Sequence, residues 1–185
     1  MSGQERVRRI VVLGSPSVGK SSLTVQYVED QFIDLYYPTI ENTFTKIINY
    51  HNQEYKAEII DTAGQDEHSI LNKKHSIGIH GYMLVYSITS RASLEICQVI
   101  RDKILNHTQT DWVPIVLIGN KSDLHLQREV TFEETQKIAK EWNCANIECS
   151  AKHNNNIAKA FELMLGEIEK GEEVPDEPKT TCAMM

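Results

Sequence analysis

Gly14-Ser15-Pro16-Ser17-Val18-Gly19-Lys20-Ser21 is the stretch that decides the fold expected for this chain. It has the spacing G-x-x-x-x-G-K-[ST] of a phosphate-binding loop. Glycines let backbone N–H groups approach phosphate oxygens, and Lys20 supplies a positive charge for the β- and γ-phosphates. The Ser21 hydroxyl is a hard oxygen ligand that suits Mg²⁺. The stretch therefore predicts a nucleotide phosphate site, with contacts from Ser17, Val18, Gly19, Lys20, Ser21 and Ser22.

The segments around this loop predict an α/β fold. An apolar strand, 7–13, precedes the loop, and Leu23, Gln26 and Tyr27 follow it at helical spacing. Five more segments read as strands: 42–50, 53–61, 81–88, 114–118 (halted by Gly119) and 146–149. Helical patterns lie between the later strands, and a final helical pattern follows the last strand, from Ile157 to Ile168. Alternating strands and helices predict a mostly parallel six-stranded sheet with one antiparallel edge strand and helices on both faces.

Composition limits the class of protein. The 185 residues suit one domain, which we place at 1–170, followed by a flexible acidic tail at 171–185. The net charge of −7 argues against a general nucleic-acid surface, so no nucleic-acid partner is expected. No apolar run approaches the roughly 18 residues of a membrane span, and no signal peptide is visible. Three cysteines are expected to be small buried hydrophobes with reduced thiols: Cys97, Cys144 and Cys149.

The chain ends in Cys182-Ala183-Met184-Met185, a C-a-a-X box. The terminal Met favours a farnesyl group on Cys182. The tail around it is acidic apart from Lys179, and a single lipid without basic support holds membranes weakly. We expect a lipid-anchored protein at the cytoplasmic face of endomembranes, with a cytosolic pool and no transmembrane segment.

Residues near the end of the third strand are candidates for metal binding and catalysis. Asp61 ends a buried strand, where a carboxylate can hold Mg²⁺; a turn or N-cap aspartate is the alternative. Gln65 can orient a water for attack on a γ-phosphate, unless it is a solvated loop amide. The N–H of Gly64 could contact the γ-phosphate. Thr39 offers a second Mg²⁺ oxygen beside Pro38, or is an ordinary loop threonine.

Asn120-Lys121-Ser122-Asp123 predicts the base that binds. The Asp123 carboxylate can accept two hydrogen bonds from guanine, whereas adenine presents an acceptor at N1 and leaves the carboxylate unpaired. Asn120 can bridge loops and bond N7, and the Lys121 stem can lie across the purine. A second segment, Ser150-Ala151-Lys152, can add a backbone N–H for the guanine O6. Together these residues select GTP over ATP.

These motifs, in this order, resemble those of the Ras-superfamily small GTPases from about residue 7 to 170. The segments 37–46 and 61–67, and the non-glycine Ser15-Pro16-Ser17 between Gly14 and Val18, carry the closer likeness within that superfamily. The resemblance implies the P-loop GTPase fold, a monomer, slow hydrolysis of GTP to GDP, and two switch segments, 36–45 and 64–80. It implies that Gln65, Lys20 and Thr39 serve catalysis and that Mg²⁺ binds Ser21, Thr39 and Asp61. It adds nucleotide contacts from Phe32 (packed on guanine), Ile33, Asp34, Tyr36 (over the phosphates), Pro38, Thr39 and Gly64.

The resemblance also implies partners. It points to a tuberin-type GTPase-activating protein and to an effector kinase complex of the target-of-rapamycin type that controls growth. Two departures from the family pattern bear on this. Pro16 stands where most relatives have glycine, and a side chain there crowds Gln65. His68 replaces a tyrosine of the second switch, so partner contacts on that face differ.

Three other functions stay open at this point. A multiple-turnover P-loop kinase would need an acceptor pocket and a lid, and no arginine-rich lid segment is inserted in the sequence. An adaptor that binds GTP without hydrolysing it is compatible with Pro16. A Ras- or Rap-type switch that reads a different effector is the third alternative.

Overall fold

A computed structural model describes residues 6–34, 38–66, 75 and 77–172. Its sheet has six strands in the order β2-β3-β1-β4-β5-β6. β2 is antiparallel to β3, and the other neighbouring strands are parallel. This arrangement confirms the predicted P-loop GTPase fold. The strands are β1 (Arg6–Gly14), β2 (Glu41–Tyr50), β3 (Gln53–Thr62), β4 (Gly81–Ser87), β5 (Ile115–Asn120) and β6 (Ala145–Glu148).

The described part of the chain has four α-helices, of which three lie between strands and the fourth follows β6, and a short 3₁₀ helix, Ser122–Gln127, follows β5. Thr131 caps one of the helices, because its side chain accepts a hydrogen bond from the Glu134 N–H at 3.3 Å. No helix in the described ranges is long and apolar enough to cross a bilayer. The helices are α1 (Lys20–Glu29), α2 (Arg91–Thr108), α3 (Phe132–Trp142) and α4 (Ile157–Glu172).

The two faces of the sheet form two cores, because successive residues of a strand point to opposite sides. Ile10 and Val12 of β1 pack on the side of α1 and α4, where Phe161 is fully buried. Val11 and Leu13 pack on the other side, with Ile100 of α2. The sheet is therefore covered on both faces, and the carboxyl ends of its parallel strands meet at one open edge, where ligands bind in such folds.

The β2–β3 hairpin turns at His51 and Asn52, whose φ angles are 49° and 62°. Residues that tolerate positive φ suit such a two-residue turn, so the predicted hairpin is confirmed. Pairing runs without a gap from Tyr50↔Gln53 to Glu41↔Thr62. The hairpin thereby carries the chain from the region of Thr39 back to Asp61.

Most strand ends lie within one residue of the sequence expectation, and two segment ends differ by more. β5 does not stop at Gly119, because Gly119 and Asn120 still pair with β4. Glycine is required there, since a Cβ would lie 2.5 Å from the Tyr86 hydroxyl oxygen. α4 continues two residues beyond 170, to Glu172, whose carboxylate lies 2.8 Å from Arg8 of β1. The predicted farnesyl site, Cys182, lies outside the described residues, as do Tyr36 and His68.

Candidate functional site

A cavity of about 540 Å³ opens at the carboxyl edge of the sheet. Its walls come from the phosphate loop and α1, from the segment after α1, from the ends of β2 and β3 next to that segment, and from the loops after β5 and β6. The lining residues therefore come from five stretches of the sequence that meet around one space: 16–25, 32–42, 62–64, 120–124 and 151–152. The lining residues are Pro16, Ser17, Gly19, Lys20, Ser21, Ser22, Val25, Phe32, Ile33, Asp34, Thr39, Asn42, Thr62, Gly64, Asn120, Lys121, Asp123, Leu124, Ala151 and Lys152.

The phosphate loop has the tight backbone that its glycines predict. Gly19 has a φ of 96°, and a Cβ there would lie 2.2 Å from the Asn120 amide nitrogen. Lys20 follows at the start of α1, where the helix dipole adds positive potential. Its ammonium donates a hydrogen bond to the Ser15 carbonyl oxygen at 2.8 Å. Burial lowers the pKa of Lys20 to about 8, although the charge of Asp61 opposes that shift.

Three oxygen-bearing side chains gather beside Lys20. Asp61 is only 1% exposed, and neither of its carboxylate oxygens has a hydrogen-bond partner among the described residues. Burial raises the pKa of Asp61, while the nearby Ser21 hydroxyl and the Lys20 charge oppose the rise. The Ser21 and Thr39 hydroxyl oxygens lie 2.6 Å apart. A buried carboxylate without a partner next to two hydroxyls is a donor set that fits Mg²⁺.

The base end of the cavity is held by Asn120, which is 1% exposed. Its amide nitrogen donates to the Val18 carbonyl at 2.9 Å, and its amide oxygen accepts from the Ala151 N–H at 3.2 Å. One side chain thus joins the phosphate loop to the loop after β6. Lys121 makes a second link, because its ammonium donates to the Ser17 carbonyl at 2.7 Å.

Asp123 lines the cavity, and its Oδ1 accepts a hydrogen bond from the Ser150 hydroxyl at 2.6 Å. A carboxylate has about four acceptor positions, so this bond leaves room for two donors of a ligand. Ser150 itself is buried and lies behind Asp123 rather than in the cavity wall. The structure therefore places Ser150 as a support for Asp123.

Gln65 lies close to the phosphate loop but does not line the cavity. Its N–H donates to the Gly14 carbonyl at 2.9 Å, and its side chain is 8% exposed. The preceding Gly64 packs on Pro16 so closely that a Cβ would lie 2.5 Å from two backbone atoms of that proline. Gly64 therefore has no room for a side chain beside Pro16.

The other predicted site residues divide into three groups. Phe32, Ile33, Asp34 and Lys152 line the cavity with those already described. Val18 is buried in the core and Pro38 is exposed, and neither lines the cavity. Tyr36 lies outside the described residues. Sequence reasoning did not name five lining residues as nucleotide contacts, although three of them lie within the motif segments: Pro16, Val25, Asn42, Thr62 and Leu124.

Comparison with known proteins agrees with this geometry. The Ras family matches residues 9–170. The chain is 70% identical over 163 residues to the GTP-binding protein rhb1 of Schizosaccharomyces pombe, covering 88% of each chain. It is 54% identical to the small monomeric GTPase RhbA of Aspergillus fumigatus over the full length of both. It is 48% identical to human GTP-binding protein Rheb over 98% of this chain and 99% of that one.

The chain belongs to the Ras family of small GTPases. Within that family it is similar to the Rheb proteins along nearly its whole length. It is therefore a Rheb-like, guanine-nucleotide-binding small GTPase.

Proposed function

We propose that this protein is a GTP-driven switch in which the cavity binds the nucleotide and the segment around Thr39 reports the terminal phosphate to a partner. One observation carries the proposal: the phosphate loop, the Asp61 and Thr39 oxygens, and the Asp123 loop line or border one space of nucleotide size. Each group alone has an ordinary structural explanation. Their convergence matches the order of groups along GTP, from phosphates to base.

The base would be selected by Asp123. Guanine offers it two donors, N1–H and the exocyclic amino group, and Ser150 leaves enough acceptor positions for both. Adenine would leave the carboxylate unpaired in the cavity. Lys121, held by the Ser17 carbonyl, would lie along the purine, and Phe32 would cover it from the other side.

The phosphates would lie against Lys20 and the N–H groups at the start of α1. Their negative charge would replace the Ser15 carbonyl as the partner of the Lys20 ammonium and would restore its pKa toward the usual range. Mg²⁺, held by Ser21, Thr39 and Asp61, would neutralise charge on the β- and γ-phosphates. The terminal phosphate would hold Thr39 beside Ser21, where the two hydroxyl oxygens lie 2.6 Å apart, and its loss would release Thr39, which couples the nucleotide to the segment 38–46.

We propose that hydrolysis is slow. Gln65 is the residue expected to orient the attacking water, yet its side chain is mostly buried and outside the cavity wall. The ring of Pro16 lies beside Gly64, the residue before Gln65, and would limit movement of Gln65 toward the cavity. An activating protein of the tuberin type would then supply a catalytic group from outside, which is the interpretation that the resemblance favours.

The partners and location that we propose rest on the similarity to Rheb proteins. The GTP form would engage an effector kinase complex of the target-of-rapamycin type, and the protein would act as a monomer. Farnesylation of Cys182 would hold it reversibly on the cytoplasmic face of endomembranes. A pull-down with GTP-loaded and GDP-loaded protein tests the effector: a protein that binds only the former is expected, and recovery of the same proteins with both forms would refute the switch.

Nucleotide competition tests the site itself. The assay measures how strongly GTP, ITP and ATP each compete with fluorescent GDP for the purified protein in the presence of Mg²⁺. Sites built to pair polar ligand groups reject analogues that lack those groups by about 10⁴-fold. ATP should therefore compete at least about a thousandfold more weakly than GTP, with ITP between them. Equal competition by ATP would refute the role of Asp123.

Single-turnover and steady-state hydrolysis separate the remaining alternatives. A switch should hydrolyse bound GTP once, slowly, and faster with an activating protein. A metabolic kinase should turn over repeatedly once a small acceptor is added. An adaptor locked in the GTP form should release no phosphate under either condition.

A further inference from the structure

A hydrogen bond between Asp30 and Asn154 joins two exposed positions next in sequence to the base end of the cavity. The Asn154 amide nitrogen donates to the Asp30 Oδ1 at 3.1 Å, across 124 positions of the sequence. Asp30 is the C-cap residue that follows α1. It precedes Phe32, the first of three successive lining residues, by two positions. Asn154 stands two residues after Lys152, which lines the cavity too. The bond therefore joins the two segments that border the base end from opposite directions.

Asp30 is held in place from its own side of this bond. It is in the left-handed conformation at φ 56°, and its N–H donates to the Gln26 carbonyl at 3.1 Å. The amide nitrogen of Gln26, a side chain only 6% exposed, also donates to Oδ1 of Asp30 at 3.2 Å. The carboxylate is thereby held in place by a buried residue of the same helix.

The backbone around Asn154 is also fixed. The N–H groups of Ser150 and Asn155 donate to each other's carbonyl oxygens at 3.1 and 3.0 Å, which closes the loop between them. Asn154 occupies the left-handed region at φ 51°, a conformation that asparagine tolerates well. The backbones on both sides of the bond are thus fixed, so forming the bond mainly orders the exposed Asn154 side chain.

We propose that the Asp30–Asn154 bridge slows nucleotide release by holding the segment 32–34 against the loop after β6. The inference rests on the proposed nucleotide site. For a guanine nucleotide to leave the base end, these two segments must separate, and the bridge breaks when they do. Asp30 and Asn154 are positioning residues that act through their neighbours, so release should change while selectivity for the base stays constant.

The test measures release of fluorescent GDP in the presence of Mg²⁺ from the full chain and four variants. Asn154→Asp places two carboxylates face to face and should speed release about three- to tenfold. Asp30→Asn keeps an oxygen that accepts from the Gln26 and Asn154 amides. The rate of GDP release should therefore change less than twofold, because only the negative charge of the acceptor is lost. Asn155→Asp is the matched control, because it adds the same charge one residue away at an exposed side chain.

The fourth variant exchanges the partners, Asp30→Asn with Asn154→Asp. The new amide at 30 can accept from Gln26 with its oxygen and donate to the new carboxylate with its nitrogen. Release should return to within about twofold of the original rate. The rate of nucleotide association and the binding preference for GTP over ATP should be the same in all variants. The excess release of Asn154→Asp should also shrink at high salt, because an exposed like-charge pair is screened.

Several results would overturn the inference. Melting temperatures are measured alongside to detect any loss of stability in Asn154→Asp. If that variant is less stable, the exchanged pair decides, and its failure to restore slow release refutes the bridge. Equal release from Asn154→Asp and Asn155→Asp refutes it as well. If the unaltered protein does not bind GDP at all, the proposed nucleotide site fails and the inference falls with it, which distinguishes the two failures.

Discussion

Replacing Asn120 with alanine should weaken both the fold and the nucleotide site. Asn120→Ala removes a 2.9 Å bond to the Val18 carbonyl and a 3.2 Å bond from the Ala151 N–H, and all three residues are at most 3% exposed. Each buried group left without a partner costs about 1–3 kcal/mol. Water in the adjoining cavity can satisfy part of this, which leaves an expected loss of about 2–3 kcal/mol in the free energy of unfolding.

Thermal unfolding and GDP binding measure these effects. For a chain of this length, about 2–4 °C of melting temperature corresponds to each kcal/mol, so a fall of about 4–12 °C is expected. GDP affinity should fall at least about tenfold, because each 1.4 kcal/mol of lost site organisation costs that much. Asn146→Ala is the control: its amide donates to the Thr135 hydroxyl at 3.1 Å, away from the cavity, and GDP affinity should not change. An Asn120→Ala protein that melts and binds GDP like the original would refute the bridging role.

Three further predictions concern other parts of the molecule. Pro16→Gly should remove the ring that lies beside Gly64 at the start of the second switch and raise single-turnover GTP hydrolysis about tenfold, well within the roughly 10²-fold that a 1 Å misplacement costs; an unchanged rate would exclude an effect of the ring on Gln65. Burial and the neighbouring arginines lower the pKa of His80, whose Nδ1 accepts from the Arg9 N–H at 2.9 Å. The folded state therefore binds fewer protons than the unfolded state, and stability should be complete above about pH 6.5 and fall below it. Urea unfolding against pH checks this, and His80→Asn, which keeps an acceptor, should flatten the dependence. Burial raises the pKa of Cys97 and of Cys149 to about 12, so neither should react with an aromatic disulfide reagent until the protein unfolds.

The parts of the fold that sequence predicted well are those whose cause is local. The phosphate loop depends on a few backbone positions, and the hairpin depends on two adjacent residues that tolerate positive φ. The buried strands are continuous apolar runs because both of their faces are covered. Asp61 could be located because it ends such a strand, and parallel strands bring their carboxyl ends to one edge.

The features that sequence reasoning missed arise from contacts between distant segments. Nothing in the neighbourhood of Gln65 indicates that its N–H bonds Gly14 and that its side chain is buried, because this depends on how the end of β3 meets the phosphate loop. The contact of Asp30 with Asn154 belongs to no motif and spans most of the chain. The predicted end of β5 was wrong for a related reason, because pairing with β4 overrides the weak strand preference of Gly119.

Hydrogen–deuterium exchange of the segment 38–46 tests the central claim most directly. Amide exchange is compared between protein loaded with GDP and protein loaded with a non-hydrolysable GTP analogue, both with Mg²⁺. If the terminal phosphate draws Thr39 toward Ser21 and Asp61, exchange in this segment should be slower in the GTP-like form, while the β4 and β5 strands exchange alike in both. Identical exchange of 38–46 in the two forms would contradict a switch that operates through Thr39.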